Sequence, residues 1–149
     1  PVLCLGYRFE YKAKTICTAY DNEPFLNLFP TDPEDPGYDE DAAEEGEIVA
    51  REENEKILQF YRGADVLIHG SQYTNEEYLN GKKGWGHTPF ESAINSAHKA
   101  NVKNLFLFHH DPLRTDQQLK DLLDLYRKKI GGKSGIKLNL AQEGFGIEI

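Results

Sequence analysis

Three polar residues stand where predicted strands and helices begin or end, and together they could form one site. Asp21 lies just past a predicted strand, His87 lies just before a predicted helix, and His109 ends another predicted strand. Because strand ends at one edge of an α/β sheet commonly assemble a site, we expect these side chains to lie close together. Imidazole and carboxylate groups bind zinc, manganese and iron, so Asp21 and His109 indicate a metal site.

The number of metal ligands is limited by the way the chain leaves its strand. Adjacent residues at a strand end point to opposite sides, so at most one of His109 and His110 faces a given metal. A hydrolytic metal takes at least three protein ligands, and Asp21 with His109 supplies two. The further candidates for the site are His69, His110 and Asp111.

His87 and Thr88 predict an anion site. They precede a helix whose N-terminal amides and dipole favour negative charge, so amides and imidazole together could hold a phosphate. The alternative is that His87 only packs or hydrogen-bonds at the helix cap.

The elements that position these residues follow from periodicity. Alternating apolar residues over 3–11 predict a strand, which pairs with Lys14–Tyr20 through a turn at Lys12 and Ala13 and so places Cys17 opposite Arg8. We then expect helices over about 47–62, 89–101 and 115–130, and strands over 64–69, 103–109, 136–141 and 145–149. This order predicts one α/β domain over residues 1–149.

Two helix starts carry capping boxes, and two glycines mark helix ends. Thr88 with Glu91, and Thr115 with Gln118, have the three-residue spacing in which each side chain caps the other's amide. Gly63 and Gly131 are expected to end the helices that precede them.

Charge and composition exclude several classes of protein. The net charge is −8, which argues against a nucleic-acid or anionic-membrane surface spread over the whole chain. Twelve acids and two bases lie between Thr31 and Lys56, and the segment 30–47 is expected to be an exposed acidic loop. No apolar run is long enough to cross a membrane. Cys4 and Cys17 are expected to be free thiols in the cytoplasm.

Several motifs together resemble a known family. They are GADVLIH from Gly63 to His69, QYT from Gln72 to Thr74, EEY from Glu76 to Tyr78, GWGHT from Gly84 to Thr88, and LFLFHHDP from Leu105 to Pro112. In order and spacing they resemble the C-terminal half of the metallo-β-lactamase-fold hydrolases, in particular the branch of ribonuclease Z and cyclic phosphodiesterases. The resemblance covers nearly the whole chain apart from the acidic segment.

The resemblance implies a fold and a set of roles. The fold would be α/β, half of an αββα sandwich with a mixed sheet and flanking helices. Asp21 would bridge two divalent metal ions, with zinc expected and manganese or iron as alternatives. His109 would be the last histidine ligand, and His87 would contact the scissile phosphate and help proton transfer.

Three departures from the family pattern matter. The motif His-x-His-x-Asp-His is absent, and so is a middle histidine ligand. Gly70 stands where relatives commonly have an acid after the histidine. Because the chain begins at Pro1 and contains no methionine, we expect it to be a fragment whose N-terminal half is missing.

Two functional hypotheses follow. In the first, the chain is the C-terminal part of a metal-dependent hydrolase of small-molecule or nucleotide-like phosphodiesters, completed by the missing half and inactive alone. In the second, it is a non-catalytic binding or regulatory module that keeps an anion pocket at His87. In both, the uncovered sheet face predicts a homodimer, and no membrane partner is expected.

Overall fold

The computed structural model describes residues 4–130 and 135–149. A five-stranded sheet has the order β1 (Tyr7–Tyr11), β2 (Lys14–Ala19), β3 (Val66–Gly70), β4 (Asn104–Phe108) and β5 (Lys137–Leu140). β1 is antiparallel to β2, and the other neighbours are parallel. The helices are α1 (Glu40–Tyr61), α2 (Asn75–Leu79), α3 (Phe90–Lys99) and α4 (Asp116–Ile130). The predicted α/β class with a mixed sheet and flanking helices is confirmed.

The hairpin forms in the predicted register. Lys12 and Ala13 have φ values of 46° and 61°, as both central residues of a type I′ turn require, and Arg8 pairs with Cys17. Cys4 and Cys17 are both free, Cys4 exposed and Cys17 buried. The strand itself is shorter than predicted, and Leu3 lies outside the described residues.

The core lies on one face of the sheet. Cys17, Leu67, Leu105 and Leu138 align across β2 to β5 and are buried in one cluster with apolar residues of α1, α3 and α4. On β1 every residue is exposed. Its side chains on the face opposite Cys17 include two aromatic rings, Tyr7 at 48% and Phe9 at 56% exposure. This aromatic face of β1 is part of the sheet surface that the predicted homodimer would cover.

The acidic loop is shorter than predicted, because α1 begins at Glu40 rather than near residue 47. The Asp39 carboxylate accepts a hydrogen bond from the Ala42 amide at 2.9 Å and caps the helix. Glu40 and Asp41 then occupy the first turn, where the helix dipole favours negative charge. Part of the acidic segment that was predicted to be an exposed loop therefore forms the start of α1.

Two further predictions about elements were wrong, and one helix was not predicted. The capping box of Thr88 and Glu91 is absent at α3, because both side chains bond to distant residues, Thr88 to Asn22 and Glu91 to Tyr126. The box of Thr115 with Gln118 is confirmed. The helix α2 was not predicted. The strand predicted over 145–149 does not form, and the turn from Gln142 to Phe145 leads into an irregular segment.

Gly131 lies outside the described residues, so its predicted role at the end of α4 is not tested. Within the described ranges, no helix is long and apolar enough to cross a membrane.

Candidate metal centre

Asp21, His87 and His109 meet at one edge of the sheet. Asp21 Oδ1 lies 3.5 Å from His87 Nδ1 and 3.4 Å from His109 Nε2. Asp21 and His109 follow β2 and β4, which run parallel on either side of β3, and His87 lies in the loop that precedes α3. The sheet therefore brings together the three residues that the sequence singled out first.

The three side chains differ in exposure and contacts. Asp21 is half exposed at 49%, whereas the His87 side chain is 23% exposed. The His87 Nδ1 atom is buried and makes no hydrogen bond in the described part of the chain. The rings of His87 and His109 lie 5.0 Å apart, and the Tyr73 ring meets His87 edge-on at 6.1 Å. His109 has a φ of 55°, a left-handed backbone conformation at the end of β4.

The donor set fits a divalent cation. One ligand atom from each of Asp21, His87 and His109 lies within 4.8 Å of the others. Two imidazole nitrogens and a carboxylate oxygen are ligands that zinc, manganese and iron accept. His87 Nδ1 makes no hydrogen bond in the described residues, and its nearest charged group is the Asp21 carboxylate at 3.5 Å. The geometry thus allows His87 either to bind a metal or to face a substrate beside it.

His69 lies apart from this cluster, in the core. It is fully buried, its Nδ1 is 2.7 Å from the carbonyl oxygen of Gly70, and its ring meets Tyr61 edge-on at 5.5 Å. Burial lowers the pKa of His69 to about 4, because a charged imidazole would lose its hydration there. A neutral, packed His69 supports the sheet rather than the site.

His110 and Asp111 also lie outside the cluster. The His110 ring stacks on that of Phe90, with 6.3 Å between the ring centres. Burial lowers the pKa of His110. Asp111 Oδ1 accepts a hydrogen bond from the Leu113 amide at 2.9 Å and so shapes a turn. The expectation that only one of the two adjacent histidines reaches the site agrees with these positions.

Thr88 is engaged elsewhere. Its hydroxyl donates a hydrogen bond to the carbonyl oxygen of Asn22, and the side chain is buried. The Phe90 amide, at the start of α3, donates to the carbonyl oxygen of Tyr73 at 2.8 Å. These two donors are used within the protein, and the anion site expected at His87 and Thr88 stays a prediction.

Sequence reasoning missed Glu23. Its Oε1 accepts hydrogen bonds from the Tyr78 hydroxyl at 2.5 Å and the Gly84 amide at 2.7 Å, and its Oε2 accepts one from the Gly86 amide at 2.7 Å. Gly84 and Gly86 have φ values of 85° and 87°, which favour glycine. The paired glycines before a histidine were the available signal for a tightly held loop.

Gly70 is fixed by a close approach of two backbone segments. A Cβ atom at this position would lie 1.8 Å from the carbonyl oxygen of Tyr20, the residue before Asp21. No side chain fits there without moving one of the segments. The residue that departs from the family pattern therefore touches the segment that carries Asp21.

Solved structures identify the fold. The chain superposes on YhfI of Bacillus subtilis, a metallo-β-lactamase fold protein, with a TM-score of 0.58 at 18% identity, over 97% of this chain and 44% of that one. Human tRNase Z, short form, gives a TM-score of 0.53 at 17% identity, over 97% of this chain and 38% of that one. The chain is a metallo-β-lactamase-fold protein. It spans less than half of each of these two chains.

In sequence, this metallo-β-lactamase-fold chain resembles ribonuclease Z. The Thermoplasma acidophilum enzyme is 33% identical over 75 residues, which are 50% of this chain and 24% of the relative. The enzyme of Agathobacter rectalis is 28% identical over 88 residues, 58% of this chain and 29% of the relative. That of Picrophilus torridus is 40% identical over 63 residues, 42% and 20% respectively. No family model matches the chain.

Proposed function

We propose that this chain forms part of the active site of a metal-dependent phosphodiesterase. The observation that carries the proposal is the cluster of Asp21, His87 and His109, whose ligand atoms lie within 4.8 Å of one another at a sheet edge. The metallo-β-lactamase fold and the similarity to ribonuclease Z support hydrolysis of a phosphodiester as the reaction class.

The three residues would have two different roles, metal binding and phosphate contact. Asp21 and His109 would hold the metal, with zinc as the proposed ion and manganese or iron as alternatives. When bound, divalent metals in such sites polarise a phosphoryl oxygen and lower the pKa of water. His87, whose side chain is 23% exposed and whose ring lies 5.0 Å from that of His109, would contact the phosphate and transfer a proton.

A nucleotide-like or RNA phosphodiester is the proposed substrate. Trp85, two residues before His87, is 58% exposed. The Lys82 ammonium lies 3.9 Å from the centre of the Trp85 ring and 5.6 Å from that of Tyr73, whose ring in turn meets His87. An exposed indole beside a cation suits a base and its phosphate. The relatives named ribonuclease Z support the same class.

We further propose that other parts of the whole protein complete the site. Asp21 and His109 supply two ligands of the three or more that a hydrolytic metal takes. The matched relatives and structures are also longer than this chain. Cytoplasmic location and the homodimer, formed through the aromatic face of β1, are part of this proposal.

The test is hydrolysis of an aryl phosphodiester with zinc, manganese or iron added, using this chain and any longer product of its gene. We expect His87→Ala to lower kcat by about 100-fold or more. The matched control is His98→Ala, because His98 is exposed on α3, away from the cluster. Equal activity in His87→Ala and wild type would refute the role of His87. No hydrolysis by any form would favour the non-catalytic binding module.

A further inference from the structure

We propose that Glu23 is a positioning residue that fixes His87 in the site by clamping the backbone before it. The inference rests on the proposed function in one respect, since it assumes that the position of His87 matters to catalysis. The clamp itself is a statement about the loop from Lys82 to Thr88 and can be tested separately.

Glu23 binds the backbone on both sides of Trp85. The Gly84 and Gly86 amides, which flank Trp85, each donate to a different oxygen of the Glu23 carboxylate at 2.7 Å. Glu23 is half-buried, and the Tyr78 hydroxyl adds a third bond at 2.5 Å. Hydrogen bonds to a carboxylate are stronger than those between neutral groups, so three of them hold this loop firmly.

The same segment also holds the chain just after His87. Thr88 donates its hydroxyl to the carbonyl oxygen of Asn22, the residue between Asp21 and Glu23. His87 is thus bounded by Gly86, which bonds to Glu23, and by Thr88, which bonds to Asn22. Because Asp21 begins this segment, one stretch of three residues sets the distance between the carboxylate of Asp21 and the ring of His87.

Only a carboxylate at position 23 can accept all three of these hydrogen bonds. Both carboxylate oxygens accept, and the three donors are an O–H and two N–H groups. In Glu23→Gln one oxygen becomes an NH₂ group, which cannot accept a hydrogen bond from a backbone amide. The substitution keeps the size of the side chain and removes at least one of the three bonds.

The first measurement follows the loop without reference to catalysis. Trp85 is the single tryptophan of the chain, so the fast, local part of the tryptophan anisotropy decay reports on the motion of this residue. We expect Glu23→Gln to lower the anisotropy of Trp85. The control Glu76→Gln removes an exposed carboxylate on α2 that makes no side-chain hydrogen bond in the described residues, and it should leave the anisotropy unchanged. Unchanged anisotropy in Glu23→Gln would overturn the clamp.

The second measurement tests the coupling to His87. Loss of a residue that orients a site residue costs about 10- to 100-fold. We expect Glu23→Gln to lower kcat by that factor, with KM changed less than kcat, and to add no further loss in the His87→Ala background. Full additivity in this double-mutant cycle would overturn the assignment, because Glu23 would then act independently of His87.

Tyr78→Phe provides a graded second variant that keeps the carboxylate. It removes one bond to Glu23 and leaves both backbone bonds, so its effect on anisotropy and kcat should be smaller than that of Glu23→Gln. An effect equal to or larger than that of Glu23→Gln would contradict the clamp. If the wild type hydrolyses no phosphodiester, the proposed function fails. A lower Trp85 anisotropy in Glu23→Gln still supports the clamp in that case.

Discussion

Substitution of Gly70 by alanine should damage the site through the backbone. The new Cβ would lie 1.8 Å from the Tyr20 carbonyl oxygen, whereas ordinary van der Waals contact begins at 3.4 Å. The end of β3 and the segment of Tyr20 must therefore separate by about 1.5 Å, since packed interiors do not absorb such an overlap. Tyr20 precedes Asp21, so the movement reaches the cluster directly.

Two magnitudes follow from this overlap. Overpacking typically costs about 1 to 3 kcal/mol in the free energy of unfolding. A displacement of a site residue by about 1 Å can lower the rate about 100-fold. The distances from Asp21 Oδ1 to His87 and His109, 3.5 Å and 3.4 Å, leave little room for such a shift.

The assay combines urea unfolding with metal binding by equilibrium dialysis. We expect Gly70→Ala to lower the unfolding midpoint and to weaken zinc binding. The control is Gly146→Ala, because an added Cβ meets no atom within 4 Å there and the backbone is not in the left-handed region. If Gly70→Ala matched the wild type in both measurements, the reasoning from the close approach would be wrong.

Three further predictions follow. Burial lowers the pKa of His69 from 6.5 to about 4, so the unfolded chain binds this proton more readily, and about 3 kcal/mol of stability should be lost as the pH falls from 6.5 to 4. In urea unfolding His69→Gln should lack this pH dependence, and an unchanged dependence would contradict it. Adenosine monophosphate should quench the fluorescence of Trp85 more than ribose 5-phosphate does, and Lys82→Ala should weaken the effect; equal quenching would argue against base stacking. Sedimentation should show self-association that Tyr7→Ser with Phe9→Ser abolishes, whereas a monomer at high concentration would refute it.

Local sequence patterns predicted the strands and the turn that position the site. The turn at Lys12 and Ala13 was predictable because strand alternation on both sides fixes the register. The strand end before Asp21 follows from this register, whereas the strand that ends at His109 was predictable from its apolar run. Parallel neighbours bring such ends to one edge. These features depend on residues that are close in the sequence or on the general geometry of sheets.

Features that depend on distant partners were not predictable. Glu23 bonds to amides 61 and 63 residues away, and nothing near it in the sequence indicates them. Thr88 has the spacing of a helix cap, but the carbonyl of Asn22, 66 residues away, takes its hydroxyl. His69 ends a predicted strand as His109 does, but in the structure it lies within β3 and packs against Tyr61 in the core. Tertiary contacts overrode local chemistry at each of these positions.

The central claim is that Asp21 and His109 hold a metal in a site that also contains His87, and metal content tests it most directly. We would measure zinc, manganese and iron by plasma mass spectrometry in this chain and in any longer product of its gene. The account predicts stoichiometric metal in at least one wild-type form. Asp21→Asn should lose this metal, whereas Asp111→Asn, in which the changed carboxylate shapes a turn outside the cluster, should retain it. Absence of metal from every wild-type form, or equal metal in Asp21→Asn, would contradict the account.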